Sequence, residues 1–308
     1  MANKKIDDAT GVETVGHEWD GIEELNNPLP RWWVILFALC VVFSLGYVVV
    51  YPAIPLASAG TQGIWGWSSR GQLDAEMQAA KASRAASDAQ IAALPLEQIA
   101  ANKDLLGKAL AGGHAAFQQN CVQCHGTGAA GSLGYPNLND DDWLWGGNVA
   151  EIHQTLLHGI RQPGDGETRT SQMPSFGKDA ILTPAQVGNV SDYVLTLSGS
   201  GPANGSSQAG AALFAANCIA CHGNDGKGMR QFGAPNLTDK IWLYGGSKAQ
   251  VAASVTTAHA GVMPAWGGRL DPVTVKMLAL YVHSLGGGEG FAAVPAAPAA
   301  AESGHAQP

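Results

Sequence analysis

The sequence predicts an all-α protein: a single N-terminal transmembrane helix followed by two tandem copies of one small helical domain. Three observations predict it. The uncharged 20-residue run WWVILFALCVVFSLGYVVVY, Trp32 to Tyr51, is long enough to cross the roughly 30 Å hydrocarbon core as a helix. Beyond that run, one pattern of residues occurs twice. No convincing run of period-two alternation predicts a strand.

Before the span, the leader 1–31 is mostly acidic. Lys4, Lys5 and Arg31 precede the apolar run and no Lys or Arg follows until Arg70, an asymmetry that predicts a cytoplasmic N-terminus. Trp32, Trp33 and Tyr51 stand at the ends of the run, where amphipathic rings prefer the interface. Pro30 precedes it, and Pro52 and Pro55 stop it. The span is therefore placed at 32–52. Ala57-Ser58-Ala59 resembles a signal-peptidase site, but the long acidic leader and the length of the run differ from a secretory signal, whose apolar region is about 7–15 residues behind a short basic segment. A retained anchor is the expectation. Within it only Cys40 and the tyrosines are ionisable, which argues against proton conduction by this chain.

Residues 53–103 read as a linker containing an Ala-rich helix at 74–93. The copies follow at 104–199 and 208–287, joined by a Gly/Ser/Pro-rich linker at 200–207, with an Ala/Pro tail expected to be disordered at 288–308. Gly113 and Phe117 precede Cys121 as Gly210 and Phe214 precede Cys218. PNL at 136–138 matches 235–237, and WLWGG at 143–147 matches WLYGG at 242–246. SQMPSFG, with Met173, matches GVMPAWG, with Met263. Val187, Val190, Val194 and Leu197 match Val275, Leu278, Val282 and Leu285, a spacing that puts each set on one helical face. Thr183-Pro184 and Asp271-Pro272 read as an N-cap with proline at the first helical position, and Gly199 and Gly286 as breakers past the ends.

Composition limits the function. A net charge of -8 and a pI of about 5.5 argue against a nucleic-acid partner, which would want a basic stripe. Five cysteines, four of them in two CxxC pairs and Cys40 in the apolar run, do not form a disulfide framework.

The paired cysteines carry the chemistry. Cys121, Cys124 and His125 spell CVQCH, and Cys218, Cys221 and His222 spell CIACH. A four-thiolate zinc site would have to join pairs separated by a whole repeat, and a thioredoxin-like dithiol lacks its βαβ setting. C-x-x-C-H is the spacing of covalent haem attachment: two thiols on one short turn reach the two vinyl carbons of one porphyrin edge, and the next residue drops its imidazole onto the iron. Two such motifs predict two covalently attached haem c groups, with His125 and His222 as metal ligands.

The sixth ligands follow from what else repeats. Met173 and Met263 occupy matched Met-Pro positions in Gly-containing loops. The proline disfavours αR at each methionine, and His/Met ligation raises the reduction potential, as an electron carrier needs. Core filling is the alternative role for a loop methionine. Met229 follows its CxxCH too closely to reach the opposite haem face, and Met77 and Met277 fall on predicted helices. His114, His153, His158, His259 and His283 do not recur at matched positions, which assigns them to packing or surface. Asp140, Asp141 and Asp142 read as a solvated turn. The carbonyls of Pro136 and Pro235 are the expected acceptors for the second ring nitrogen of each histidine.

The repeats resemble class I c-type cytochrome domains. With HEWDGIEELNNPLPRWW at 17–33 before the span, DDDWLWGG at 140–147 and SQMPSFG, the chain resembles the dihaem subunit III of cbb3-type cytochrome c oxidases (CcoP or FixP) from His17 to Gly286. The resemblance implies a subunit of the bacterial inner membrane with its haem domains on the periplasmic side. It implies electrons received from a cytochrome bc1 complex or a soluble cytochrome c and passed to a monohaem cytochrome subunit, then to the haem–copper centre of the catalytic subunit. On its own such a subunit is not an enzyme and has no catalytic residues. A dihaem peroxidase, which needs an open sixth coordination site, and a free-standing membrane-tethered shuttle are the alternatives. The simplest pairing sets Met173 over the His125 haem and Met263 over the His222 haem. In this family the two domains may exchange methionines, and the sequence leaves the pairing open.

Overall fold

The computed structural model describes residues 5–290. Past residue 290 the expected disordered tail lies outside the described residues. The chain divides into two compact units between Ser83 and Arg84.

The first unit departs from the all-α expectation. Strands β1 (Thr14–Trp19) and β2 (Ile22–Leu25) pair antiparallel. Asp20 and Gly21 join them with φ of 51° and 84°, both positive as a two-residue I′ hairpin turn requires. Asp-Gly between Trp19 and Ile22 was the readable signal. Alternation was hidden because Glu18 stands opposite Glu23, so charge sits where a strand would show apolar residues. Helix α1 (Arg31–Val50) follows, with none of its residues buried, and is long and apolar enough to cross a membrane. After it the chain turns back, the Ile64 N–H donating to Val49 O at 3.0 Å. Trp65 and Trp67 meet the ring of Tyr51 edge-on at 5.3 and 5.6 Å, an aromatic collar at the end of the span. Helix α2 (Ser69–Ala93) contains the expected Ala-rich helix and runs across the division.

The second unit is helical: α3 (Leu96–Ala101), α4 (Lys103–Asn120), α5 (Val122–His125), α6 (Val149–His158), α7 (Pro184–Leu197), α8 (Gly205–Asn217), α9 (Ile219–His222), α10 (Lys248–Thr256) and α11 (Pro272–His283), with a 3-10 turn at Arg230–Phe232. Helix starts are fixed by side chains. Asn102 accepts from the N–H groups of Asp104 and Leu105. Thr183 and Gln186 form a reciprocal capping box before Pro184, and Asp271 accepts from Thr274 N–H before Pro272. Both of the last two stand where the sequence placed them. Lys276 Nζ donates to the carbonyls of Ile91, Ala92 and Leu94 at 3.1, 2.8 and 2.8 Å, closing the C-terminus of α2 with a cation.

The helices pair across the repeats. Helix α4 packs on α11, and α7 packs on α8. One apolar cluster, here called outer, gathers Ile91, Ile99, Leu105, Phe117, Val149, Ile152 and Leu156 from before residue 160 with Val275, Leu278 and Val282 from the end of the chain. The other, inner, is drawn from Phe176 to Val255 without interruption. Close backbone approach explains the two crossings. A Cβ on Gly113 would lie 2.3 Å from Met277 O and 2.6 Å from Tyr281 Cβ; one on Gly210 would lie 2.0 Å from Asn189 O and 2.9 Å from Tyr193 Cβ. Each glycine thus meets the aromatic helix of the other repeat. The stretches 104–199 and 208–287 each supply residues to both clusters.

Candidate functional site

Each CxxCH begins at the end of a longer helix. Cys121 closes α4, its N–H bonded to Phe117 O, and the four residues to His125 make one turn, α5. Cys218 closes α8 on Phe214 O and the turn α9 ends at His222. Gly126 and Gly223 then break the turns at φ of 76° and 75°, a conformation that favours glycine. The geometry places both cysteines and the histidine of each motif on one tight loop.

The imidazoles are oriented as the sequence anticipated. His125 Nδ1 donates to Pro136 O at 3.1 Å and His222 Nδ1 to Pro235 O at 3.2 Å. That bond fixes the tautomer and leaves Nε2 free as a metal ligand. Burial pushes both imidazoles below the usual histidine range, against the raising effect of the carbonyl, the direction that favours the neutral ring a metal would need. Burial, reinforced by the neighbouring thiol of each pair, pushes Cys121 and Cys218 up to about 11. That is the reverse of the lowered pKa of a reactive dithiol. Cys121 packs against the outer cluster and Cys218 against the inner one; the four cysteines do not form one site.

The methionines fall on opposite clusters from their repeats. Met263 packs against the outer cluster with Cys121 and Val122, and Met173 against the inner cluster with Cys218 and Ile219. Backbone bonds stitch them there. Trp266 N–H and Gly267 N–H donate to Leu156 O and Leu157 O at the end of α6, at 2.8 and 3.1 Å. Lys178 N–H donates to Thr256 O at the end of α10, at 2.9 Å. Met173 thus packs on the cluster of the Cys218 motif and Met263 on that of the Cys121 motif.

A cavity of about 490 Å³ surrounds His222, lined by Cys218, Cys221, Met173, Val190, Phe214 and Val255 among others. A thiol pair and one imidazole, a thioether, and aliphatic and aromatic walls form the donor set and apolar pocket of a thioether-linked haem. Pro136, the carbonyl partner of His125, lines the same cavity, so the loop of the first motif borders the pocket of the second.

Two aromatic residues build that border in mirrored fashion. Tyr244 lies against Gly134, 3.3 Å from where its Cβ would be, and Gly134 N–H donates to Leu243 O at 2.8 Å. Trp145 lies against Gly233, whose Cβ would come within 2.2 Å of the indole. Both are the third residue of the repeated WLWGG and WLYGG motifs. Sequence reading found the repeat but gave these rings no role, because the contact exists only between copies. Of the other histidines, His158 meets Asp165 and Glu167, His259 stacks on Tyr244 and His114 lies tilted against Tyr281. Asp142 is a correction. It is half-buried rather than solvated, and burial followed by the charge of Asp239 raises its carboxyl to about 6.

Comparison with known proteins now bears on identity. Residues 11–58 match the N-terminal domain of cytochrome oxidase-cbb3, FixP. Residues 108–194 and 205–282 each match cytochrome c oxidase, cbb3-type, subunit III. The chain is 52% identical over 285 residues to a cbb3-type cytochrome c oxidase subunit FixP of Azorhizobium caulinodans, covering 92% of this chain and 96% of that protein. It is 50% identical over 276 residues to a subunit CcoP of Cereibacter sphaeroides, covering 90% and 95%. Motif, cluster and likeness agree: the chain belongs to the subunit III (FixP/CcoP) family of cbb3-type cytochrome c oxidases.

Proposed function

We propose that this chain carries two covalently attached haem c groups and moves electrons between them as a membrane-anchored subunit of a cbb3-type oxidase. It is an electron-transfer subunit, not the oxygen-reducing one. In this reading Cys121, Cys124, His125 and Met263 would hold one haem. Cys218, Cys221, His222 and Met173 would hold the other. Each haem is housed by one apolar cluster, the outer and the inner, rather than by one contiguous repeat. When bound, haem supplies the one-electron chemistry, and the protein supplies position and environment. The proline carbonyls orient the imidazoles, the thioether ligands favour the reduced iron, and the apolar walls keep water from it.

The observation that carries the reading is the shared border: the loop that orients His125 lines the pocket of His222. Electrons pass across it without leaving the protein. Their donor is a cytochrome bc1 complex or a soluble cytochrome c, and they leave toward the monohaem subunit and the haem–copper subunit. Helix α1 anchors the chain in a bacterial inner membrane. The basic residues before it keep the N-terminus cytoplasmic and set the haem clusters on the periplasmic side. Intact-mass measurement on the native chain tests the cofactor count, with two haem additions expected and one or none refuting it. Purification of the solubilised complex tests the partners.

A further inference from the structure

The first repeat carries an insertion that the second lacks: Met173 lies 30 positions after Trp143, whereas Met263 lies 21 after Trp242. Arg161 belongs to that longer connection. Its Nε donates to Gly261 O at 2.8 Å and its Nη1 to Ser171 O at 2.7 Å. Ser171 and Gly261 are matched positions, each two residues before the methionine of its loop. One guanidinium therefore grips both methionine loops at the same point. The backbone around it is equally tied. Ile160 and Met263 exchange two hydrogen bonds of 3.0 Å, and Arg161 N–H donates to Arg169 O at 2.7 Å. Arg161 itself holds a φ of 53°, a left-handed conformation that persists for such a residue only where its surroundings over-determine it. Its side chain lines the cavity that contains Met173 and His222.

We propose that Arg161 is a positioning residue for both axial methionines, a single fork that fixes the loops of Met173 and Met263 against each other; this rests on the reading of those methionines as ligands. Arginine is required because its planar guanidinium offers separate nitrogens at fixed spacing, whereas lysine offers one. The second repeat has no counterpart, so the arrangement is asymmetric: one cation serves two loops.

The test uses the full haem-loaded chain in detergent, as wild type, Arg161→Gln and Arg161→Lys. The oxidised protein is titrated with imidazole, which replaces a weakly held methionine, and the reduced protein is examined by NMR for the ring-current-shifted methionine methyl of each haem. Arg161→Gln is expected to tighten apparent imidazole binding about ten-fold at each haem, the weight of one charge-assisted hydrogen bond, and to displace both methyl signals. Arg161→Lys is expected to protect no more than one methionine. Lys276→Met, which weakens the docking of α2 on α11 away from the loops, is expected to lower thermal stability and leave the imidazole titration unchanged. Disturbance of only one haem in Arg161→Gln, or full protection of both in Arg161→Lys, overturns the shared fork. Absence of both methyl signals in the wild type overturns the ligand assignment itself, a separate failure.

Discussion

Pairing of the helices across the repeats makes an energetic prediction that own-repeat pairing does not. Phe117 is 1% exposed and its ring lies 5.5 Å from that of Tyr281, tilted by 57°. Phe214, 2% exposed, stands 5.3 Å from Tyr193 at the same angle. Truncating such a phenylalanine to alanine costs about 3–5 kcal/mol, enough to unfold the cluster, so leucine is the better probe. In a double-mutant cycle of Phe117→Leu with Tyr281→Leu, the aromatic pair is expected to contribute a coupling of about 0.5–1.5 kcal/mol. Phe117→Leu with Tyr193→Leu should be additive within about 0.5 kcal/mol, as for residues without a shared partner. Guanidinium unfolding of the haem-loaded chain, followed by haem absorbance, gives the four free energies of each cycle. Coupling of Phe117 to Tyr193 with none to Tyr281 would refute the packing described above.

Lys276→Met removes the cation from three carbonyls at the end of α2 and should destabilise the outer cluster by about 1–3 kcal/mol, read as a lower denaturation midpoint. Asp142 has a folded pKa of about 6 against an ordinary carboxylate value in the unfolded chain. The folded state therefore binds the extra proton, and stability falls as pH rises through that window. Asp142→Asn should abolish this fall and raise the midpoint at neutral pH; a steeper pH dependence in the variant would contradict it. Cys221→Ala should leave the inner cluster without stably attached haem, seen as the loss of one haem mass, while the outer haem is retained. Retention of both would count against thioether attachment there.

Much of the site was legible because its chemistry is local. C-x-x-C-H fits on one turn, and the proline carbonyls lie 11 and 13 residues downstream of their histidines, within one loop. The helix caps of α7 and α11 were equally local. The partner of each helix was not. Gly113 is complementary to Tyr281, but the matched Tyr193 offers the same ring on the same helical face, so the two pairings are nearly degenerate in sequence. What separates them is the reach of the connections. Ser198 to Asn204 joins α7 to α8 directly, and a link that short favours adjacent helices packing on each other. The hairpin at 14–25 escaped for another reason. Its turn residues were present, but charged residues on both strands masked the two-residue period.

The order of assembly follows from the way the inner cluster is enclosed in sequence by the outer one. Everything from Phe176 to Val255 can close on itself as soon as it is made. Helix α4, synthesised earlier, must wait for α11, because loop closure over so long an interval costs entropy that only the final contacts repay. The motif that emerges first is thus the last to be joined by the loop that packs beside it, that of Met263. A chain that stops short of Gly261 would deliver a finished inner site beside an outer one permanently lacking both its methionine loop and its closing helix.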